Sequence, residues 1–263
     1  MKKSGWKIIL GVAVLVCVIC LGRFGWVKYQ DYKTEQARKA TLKEIASTEF
    51  TGENEGKEPE KVPAGVKHGQ KINFKKLIKI NSDIYAWIYV PGTRIDYPVA
   101  QSQESDDHYL KYNFKNEPEF AGCIYTEKAN KKDFSEPNTV FYGHNMGNGS
   151  MFQNLHKFED EAFFKKHKEV YVYTPKKTYT YTIFAAYKFD DRHLLKTFNF
   201  KNKKKFENYL RNVKNIRDMG SHVRKDQEVT SNDKIITLST CVGGQPNNRY
   251  LVQAVLTDER STK

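Results

Sequence analysis

The chain is short of cysteine, and the cysteines it has are poorly spaced for metal or for a disulfide framework. Four occur in 263 residues. Cys17 and Cys20 fall inside an apolar N-terminal run, which leaves Cys123 and Cys241 outside it. No spacing matches a zinc motif and no His/Asp/Glu cluster has ligand spacing, so neither a metal nor another cofactor is expected. In an exported domain Cys123 and Cys241 could pair as a disulfide. The alternative is that Cys123, within the apolar stretch 121–125, packs as a small hydrophobe. Acidic residues are also under-represented: 44 Lys and Arg stand against 31 Asp and Glu, a net charge of +13. The excess is spread out, with 12 basic against 8 acidic residues in 1–69 and 32 against 23 in the remainder. Basic runs are no longer than Lys203-Lys204-Lys205, and no RNA- or DNA-binding motif accompanies them. Nucleic acid is therefore not an expected partner; the charge reads as solvated surface near an anionic membrane or wall. Internal repeats are absent. What remains is enough for one good-sized domain with appendages, with 16 Phe and 16 Tyr to fill its core.

The one long apolar run is at the N-terminus. Lys2, Lys3 and Lys7 precede uncharged residues 8–21, and Trp6 and Trp26 flank them as interfacial anchors do. The 21 residues from Trp6 to Trp26 can span a bilayer if Arg23 snorkels. No small-x-small cleavage site follows, which favours an uncleaved anchor over a signal peptide. Residues 1–27 thus read as a cytoplasmic tip and transmembrane helix. Residues 28–48 read as a charged helical stalk, and 50–70, rich in Glu, Lys, Gly and Pro, as a linker. Together 28–70 form a stalk and linker, and 71–263 the globular domain.

Within that domain, strand-like runs recur at residues 84–90, 95–99, 122–125, 139–142, 170–174, 178–187, 234–238 and 250–256. Eight short strands separated by turns predict a mainly β barrel or sandwich decorated with helices. Helical spacing is found at 73–81, through Phe74, Leu77 and Ile78, and a short helix is expected at 159–167. A longer helix over 200–219 aligns Phe206, Tyr209, Leu210, Val213, Ile216 and Met219 on one face.

Chemistry concentrates where strands end. The run 235–241 finishes on Cys241, a Gly-Gly-Gln-Pro-Asn cluster follows, and the chain re-enters a strand at Arg249. A hairpin-like return would bring thiol and guanidinium to one cleft, and a nearby cation favours the thiolate. The missing base is supplied by His144, just past the strand-like run 139–142. Rigid sheets present such strand-end residues to a mouth. The other histidines, among them His156, His167, His193 and His222, lie in polar contexts and read as surface residues.

Taken in order, Tyr142-Gly143-His144-Asn145, the Thr-Leu-Ser-Thr-Cys run ending at Cys241, and Arg249 eight residues later resemble the motifs of the sortase family. The resemblance spans roughly residues 70–257, and the helix inserted before the Cys241 strand is similar to the class B insertion. It implies an eight-stranded β-barrel with peripheral helices and a membrane-anchored cysteine transpeptidase with its catalytic domain outside the cell. Such an enzyme cleaves a C-terminal sorting signal after Thr through a thioester, then transfers the surface protein to a peptidoglycan amine. Catalytic roles fall on His144, Cys241 and Arg249, and substrate contacts on Tyr142, Ser239, Thr240 and Asn113. Some class B members carry an acidic residue just after the cysteine; here Val242 and Gly243 stand there, so this region names no carboxylate to orient His144. A pilin-polymerising sortase would use the same chemistry on a Lys acceptor, but no Asp-Pro-aromatic lid precedes the barrel. A non-enzymatic wall-binding module, which would need no thiol, is the alternative of another class.

Overall fold

A computed structural model describes residues 3–46 and 72–262. The chain divides into two compact units. The described part of the first is a single helix, α1 (Lys3–Ala46), continuous across the boundary expected at residue 27. Its 21-residue Ile9–Tyr29 stretch holds an 18-residue window of mean hydropathy 2.2, none of it buried. At 1.5 Å per residue it is about 30 Å long, the thickness of a bilayer's hydrocarbon core. The linker expected at 50–70 lies outside the described residues.

The second unit is a closed mixed β-barrel. Its strands are β1 (Ile84–Tyr89), β2 (Asp96–Ala100), β3 (Ile124–Tyr125), β4 (Asn138–Tyr142), β5 (Glu169–Tyr173), β6 (Lys177–Asp190), β7 (His222–Val223), β8 (Ile235–Val242) and β9 (Gln245–Ser261). The hydrogen-bonded order is β5-β1-β2-β3-β4-β8-β9-β6, and β5 pairs with β6 to close the ring. Closure leaves no free edge among these eight strands, and the two-residue β7 adds to β6 as a ninth. Pairing is parallel at β2–β3 and β4–β8 and antiparallel elsewhere in the ring. The barrel interior is aromatic and β-branched, with Phe134, Phe141, Phe152, Phe158, Ile236 and Val252 fully or almost fully buried.

The helices are shorter than their sequence patterns. Asn73 caps α2 (Phe74–Ile80) by accepting from the Lys76 amide at 2.9 Å, but only Phe74 and Leu77 are buried; Ile78 faces solvent. The short helix expected at 159–167 is α3 (Glu161–Lys166), started by the Asp160 side chain, which accepts from Phe163 N, and preceded by a 3-10 segment (Gln153–Glu159). The insertion before β8 holds α4 (Leu194–Thr197), α5 (Lys203–Lys214) and β7. Phe206, Tyr209, Leu210 and Val213 of α5 are buried, as their spacing demands. The helix stops at Asn215, however, and Met219 is fully out in solvent, at 97% exposure.

One polar ring fastens α5 to the strands of the site. Tyr209 O–H meets the Tyr187 hydroxyl at 2.9 Å, Tyr187 O–H donates to Gln253 Oε1 at 3.2 Å, and Gln253 Nε2 donates to Tyr209 at 2.7 Å. Gln253 also donates to Thr237 Oγ1 on β8 at 2.8 Å. Every buried donor in the ring is matched, so the polar groups register α5 on β8 and β9 at little desolvation cost.

Candidate active site

Strand register assembles the site. In the β4–β8 parallel pair Tyr142 lies opposite Ser239, and the contact continues as Gly143 N donates to Ser239 O at 3.2 Å. Thr240, buried, donates from Oγ1 to Gly143 O at 2.8 Å. The segment carrying His144 is tied to the same strand again where Asn145 Nδ2 donates to the Cys241 carbonyl at 2.9 Å. On the other side, β8 and β9 pair Cys241 directly with Arg249. Both strands run past these residues to a two-residue turn at Gly243-Gly244, where Gly244 takes φ +70°. Cys241 and Arg249 are thus ladder partners inside the hairpin rather than residues flanking a loop.

The Cys241 thiol is exposed. His144 is half-buried and its Nε2 lies 2.8 Å from the Leu110 carbonyl. A carbonyl only accepts, so Nε2 carries the hydrogen and Nδ1 is left as the basic nitrogen. Phe120, 81% exposed, stacks on the imidazole at 5.7 Å between ring centres. The turn into His144 requires glycine: a Cβ on Gly143 would sit 2.5 Å from Ile124 Cδ1 and 2.8 Å from Phe152 Cγ.

Arg249 is held by its own turn. Register shifts between Cys241 and Val242, so that Pro246, Asn247 and Asn248 bulge from the β8 ladder, although Asn248 still pairs with Asp190 of β6. The Arg249 Nη1 donates to Pro246 O at 2.8 Å and Asn248 O at 3.0 Å, two carbonyls of the bulge. Its Nε and Nη2 remain for other acceptors.

Of the residues assigned to substrate, Ser239 and Thr240 are buried beneath the cysteine, whereas Tyr142 is half-buried and stacks on Tyr125 at 5.4 Å. The Tyr142 hydroxyl is buried beside Glu127. Burial first, and the Glu127 charge second, keep it protonated well above the usual tyrosine range. Glu127 is in turn paired with His193 at 2.7 Å. Asn113 is committed locally: its amide nitrogen reaches the Glu117 and Glu119 carboxylates and its oxygen accepts from Lys115 N and Glu117 N. It shapes the loop leading to Phe120.

Cys123 lies just before β3, not within it, and is buried with its thiol 3.6 Å from Pro98 O. Both it and Cys241 are free, so the disulfide alternative gives way to the packing one. Burial pushes the Cys123 thiol pKa far up. In native protein an alkylating reagent should therefore label Cys241 and spare Cys123 until unfolding, as peptide mass mapping would show. Cys123→Ala should cost about 1 kcal/mol of stability by removing a small buried group, and spare the chemistry. Among the described residues no group of three or more His, Cys, Asp or Glu could hold a metal ion.

The reading of His156 as a surface residue is corrected. Its Nε2 is 3.0 Å from the Cys241 carbonyl, its Nδ1 2.6 Å from Glu159 Oε1, and Asn145 Nδ2 donates to the same Cys241 carbonyl at 2.9 Å. The only local signal was a His and a Glu three residues apart, which a 3-10 turn eclipses. The Leu110 carbonyl had no signal at all, being backbone.

A sortase-domain profile matches residues 88–257. Sortase B of Listeria monocytogenes is 34% identical over 215 residues, covering 81% of this chain and 78% of its own. Among solved structures, Clostridium perfringens sortase B superposes with a TM-score of 0.64 at 36% identity, covering 70% of this chain and all of that one. A Staphylococcus aureus sortase B–substrate complex gives 0.62 at 31% identity over 70% of this chain and 84% of its own. The barrel, the profile match and these relatives agree, and the chain belongs to the sortase family of cysteine transpeptidases, on its class B side.

Proposed function

We propose that Cys241, His144 and Arg249 carry a transpeptidation in which a C-terminal sorting signal is cut after Thr and the new acyl end is passed to a peptidoglycan amine. The observations supporting this most directly are the register that pairs Cys241 with Arg249 on β9 and the hydrogen bonds from Thr240 to Gly143 and from Asn145 to Cys241 that tie the His144 segment to the end of β8. His144 Nδ1 takes the Cys241 thiol proton, the sulfur attacks the Thr carbonyl, and electrons move onto its oxygen. Arg249, with a planar fork and donors to spare, bonds that oxyanion or an adjacent substrate carbonyl. As the C–N bond breaks, His144 delivers a proton from Nδ1 to the leaving amine and a thioester remains on Cys241. The acceptor amine then attacks the thioester and Nδ1 takes its proton; the Cys241 thiolate leaves and recovers that proton from Nδ1. Tyr142 walls the approach, while Ser239 and Thr240 hold the strand beneath it and Asn113 acts at one remove, through the loop to Phe120. Mixing the protein with Pro- and Thr-containing sorting peptides, without an amine, should trap an acyl adduct on Cys241 by mass spectrometry. Cleavage with no adduct there would remove this reading.

The domain plan that goes with it has residues 1–27 as tip and membrane anchor, 28–70 as stalk and linker, and 71–263 as catalytic domain, N-terminus inside. It is supported by the apolar stretch of α1 and its exposed side chains. The full-length protein should pellet with membranes and resist high-salt washing, since about twenty apolar residues bind lipid far more firmly than surface charge does. A mature chain starting beyond residue 26 would show a cleaved signal instead.

A further inference from the structure

The Cys241 backbone carbonyl is gripped by two side chains from outside its own sheet. Asn145 Nδ2 donates to it at 2.9 Å and His156 Nε2 approaches it at 3.0 Å. A carbonyl oxygen has two lone pairs and accommodates both donors. The other ring nitrogen of His156, Nδ1, faces Glu159 Oε1 at 2.6 Å. Nε2 also lies 3.2 Å from Asn145 Nδ2, so ring, amide and carbonyl form one cluster. Glu159 braces the ring from its far side.

The grip is itself held from several sides. The His156 ring packs on Tyr250 of β9 at 5.2 Å between ring centres. His222 Nε2 bonds the Glu159 backbone carbonyl at 2.8 Å, tying the 3-10 turn to β7. Asn145 directly follows His144, so one residue joins the histidine loop to the cysteine backbone. The point of attachment also matters. The β8–β9 register shifts just after Cys241, where the bulge interrupts regular strand pairing. Fixing the carbonyl at that break fixes the last backbone dihedral of Cys241, and with it the direction of the Cα–Cβ bond that carries the sulfur.

We propose that His156, braced by Glu159, acts with Asn145 as a positioning pair that aims the Cys241 thiol between His144 and Arg249. This rests on Cys241 being the nucleophile. Neither residue touches the reacting atoms; both act through the Cys241 backbone. A misaimed thiol still binds substrate and still reacts with a small, undemanding electrophile, but it meets the scissile carbonyl less often in a productive geometry.

The test uses the full-length chain in detergent with a fluorogenic Asn-Pro-Gln-Thr-Asn peptide and, separately, iodoacetamide, read by mass spectrometry on the Cys241 peptide. His156→Ala should lower kcat on the order of 10-fold, the size of one lost hydrogen bond. KM and the Cys241 alkylation rate should stay within about 2-fold, because uniform binding and thiol chemistry are untouched. Asn145→Ala should show the same split. His156→Gln, whose amide again offers a donor to the carbonyl, should recover most of the kcat, and Glu159→Gln should lose about 3-fold by loosening the ring. The proposal is overturned if His156→Ala and Asn145→Ala both keep kcat within 2-fold. It is equally overturned if His156→Gln is no better than His156→Ala, which would assign the loss to packing on Tyr250. If His156→Ala fails to fold, the Gln and Asn145 variants decide. A wild-type enzyme that still cleaves after complete alkylation of Cys241 would instead sink the nucleophile assignment, a separate failure.

Discussion

Cys241→Ala is expected to remove peptide cleavage, by on the order of 10⁴-fold or more in kcat, while leaving the melting temperature almost unchanged. The two halves follow from different facts. Chemically, no other group can stand in. The other described thiol of the barrel, Cys123, is buried and held in its neutral form, and lies at the foot of β3 rather than at the end of β8. With the nucleophile gone, the donors that remain can still bind a strained carbonyl, but only water is left to attack it, and single removal of a nucleophile costs losses of this size. Structurally, the side chain is exposed, so truncation deletes no core contact and should stay within ~0.5 kcal/mol. The backbone carbonyl that Asn145 and His156 hold is unaffected by the change. Substantial activity in the alanine variant would end the covalent mechanism, and a large drop in melting temperature would show that the thiol packs.

Local pattern carried the barrel further than the helices. Alternation in β8 and β9 identified both strands, yet placed Cys241 at an end and Arg249 at a start. The ladder in fact continues to Val242 and resumes at Gln245, because Gly243-Gly244 makes a two-residue turn. Spacing of eight cannot show this alone: the residues bulging from β9 absorb the difference, and their carbonyls are satisfied by the arginine side chain. Helix lengths depend on single capping groups, Asn215 after α5 and Asp160 before α3, which periodicity does not weigh. The site's long-range partners were the least visible. His156 and Cys241 are 85 positions apart, and what joins them is a ring nitrogen and a backbone oxygen brought together by the whole barrel. A polar neighbourhood in sequence made His156 resemble a surface residue; the fold turned the same polarity inward, against Glu159 and Asn145.

Arg249→Lys is the second large effect, and the bulge makes it more informative than a charge-swap test. Lysine keeps the positive charge but has one compact head in place of a planar fork. In the wild-type protein Nη1 is already committed to Pro246 O and Asn248 O, and the outer donors are what an oxyanion or substrate carbonyl would meet. A lysine ammonium cannot hold both carbonyls and also reach outward with the same geometry. If the fork donates in the transition state, kcat/KM should fall on the order of 10²-fold or more, the loss seen when one oxyanion donor is removed. The accompanying stability change should be smaller, about 1 kcal/mol for weakened bonds to the bulge. Arg249→Ala should be at least as inactive, with both carbonyls of the bulge released. Were the guanidinium there only to favour the Cys241 thiolate, lysine would restore most of the activity, and Arg249→Ala would shift the pH dependence of Cys241 alkylation toward higher pH, since removing a cation disfavours the thiolate. Were it only a brace for the turn, cleavage and melting temperature would fall together in both variants and recover together at lower temperature. Peptide kinetics, alkylation against pH and thermal melting on the two variants separate the three roles, and full cleavage by the lysine variant would withdraw the oxyanion role while leaving the Cys241–His144 pair in place.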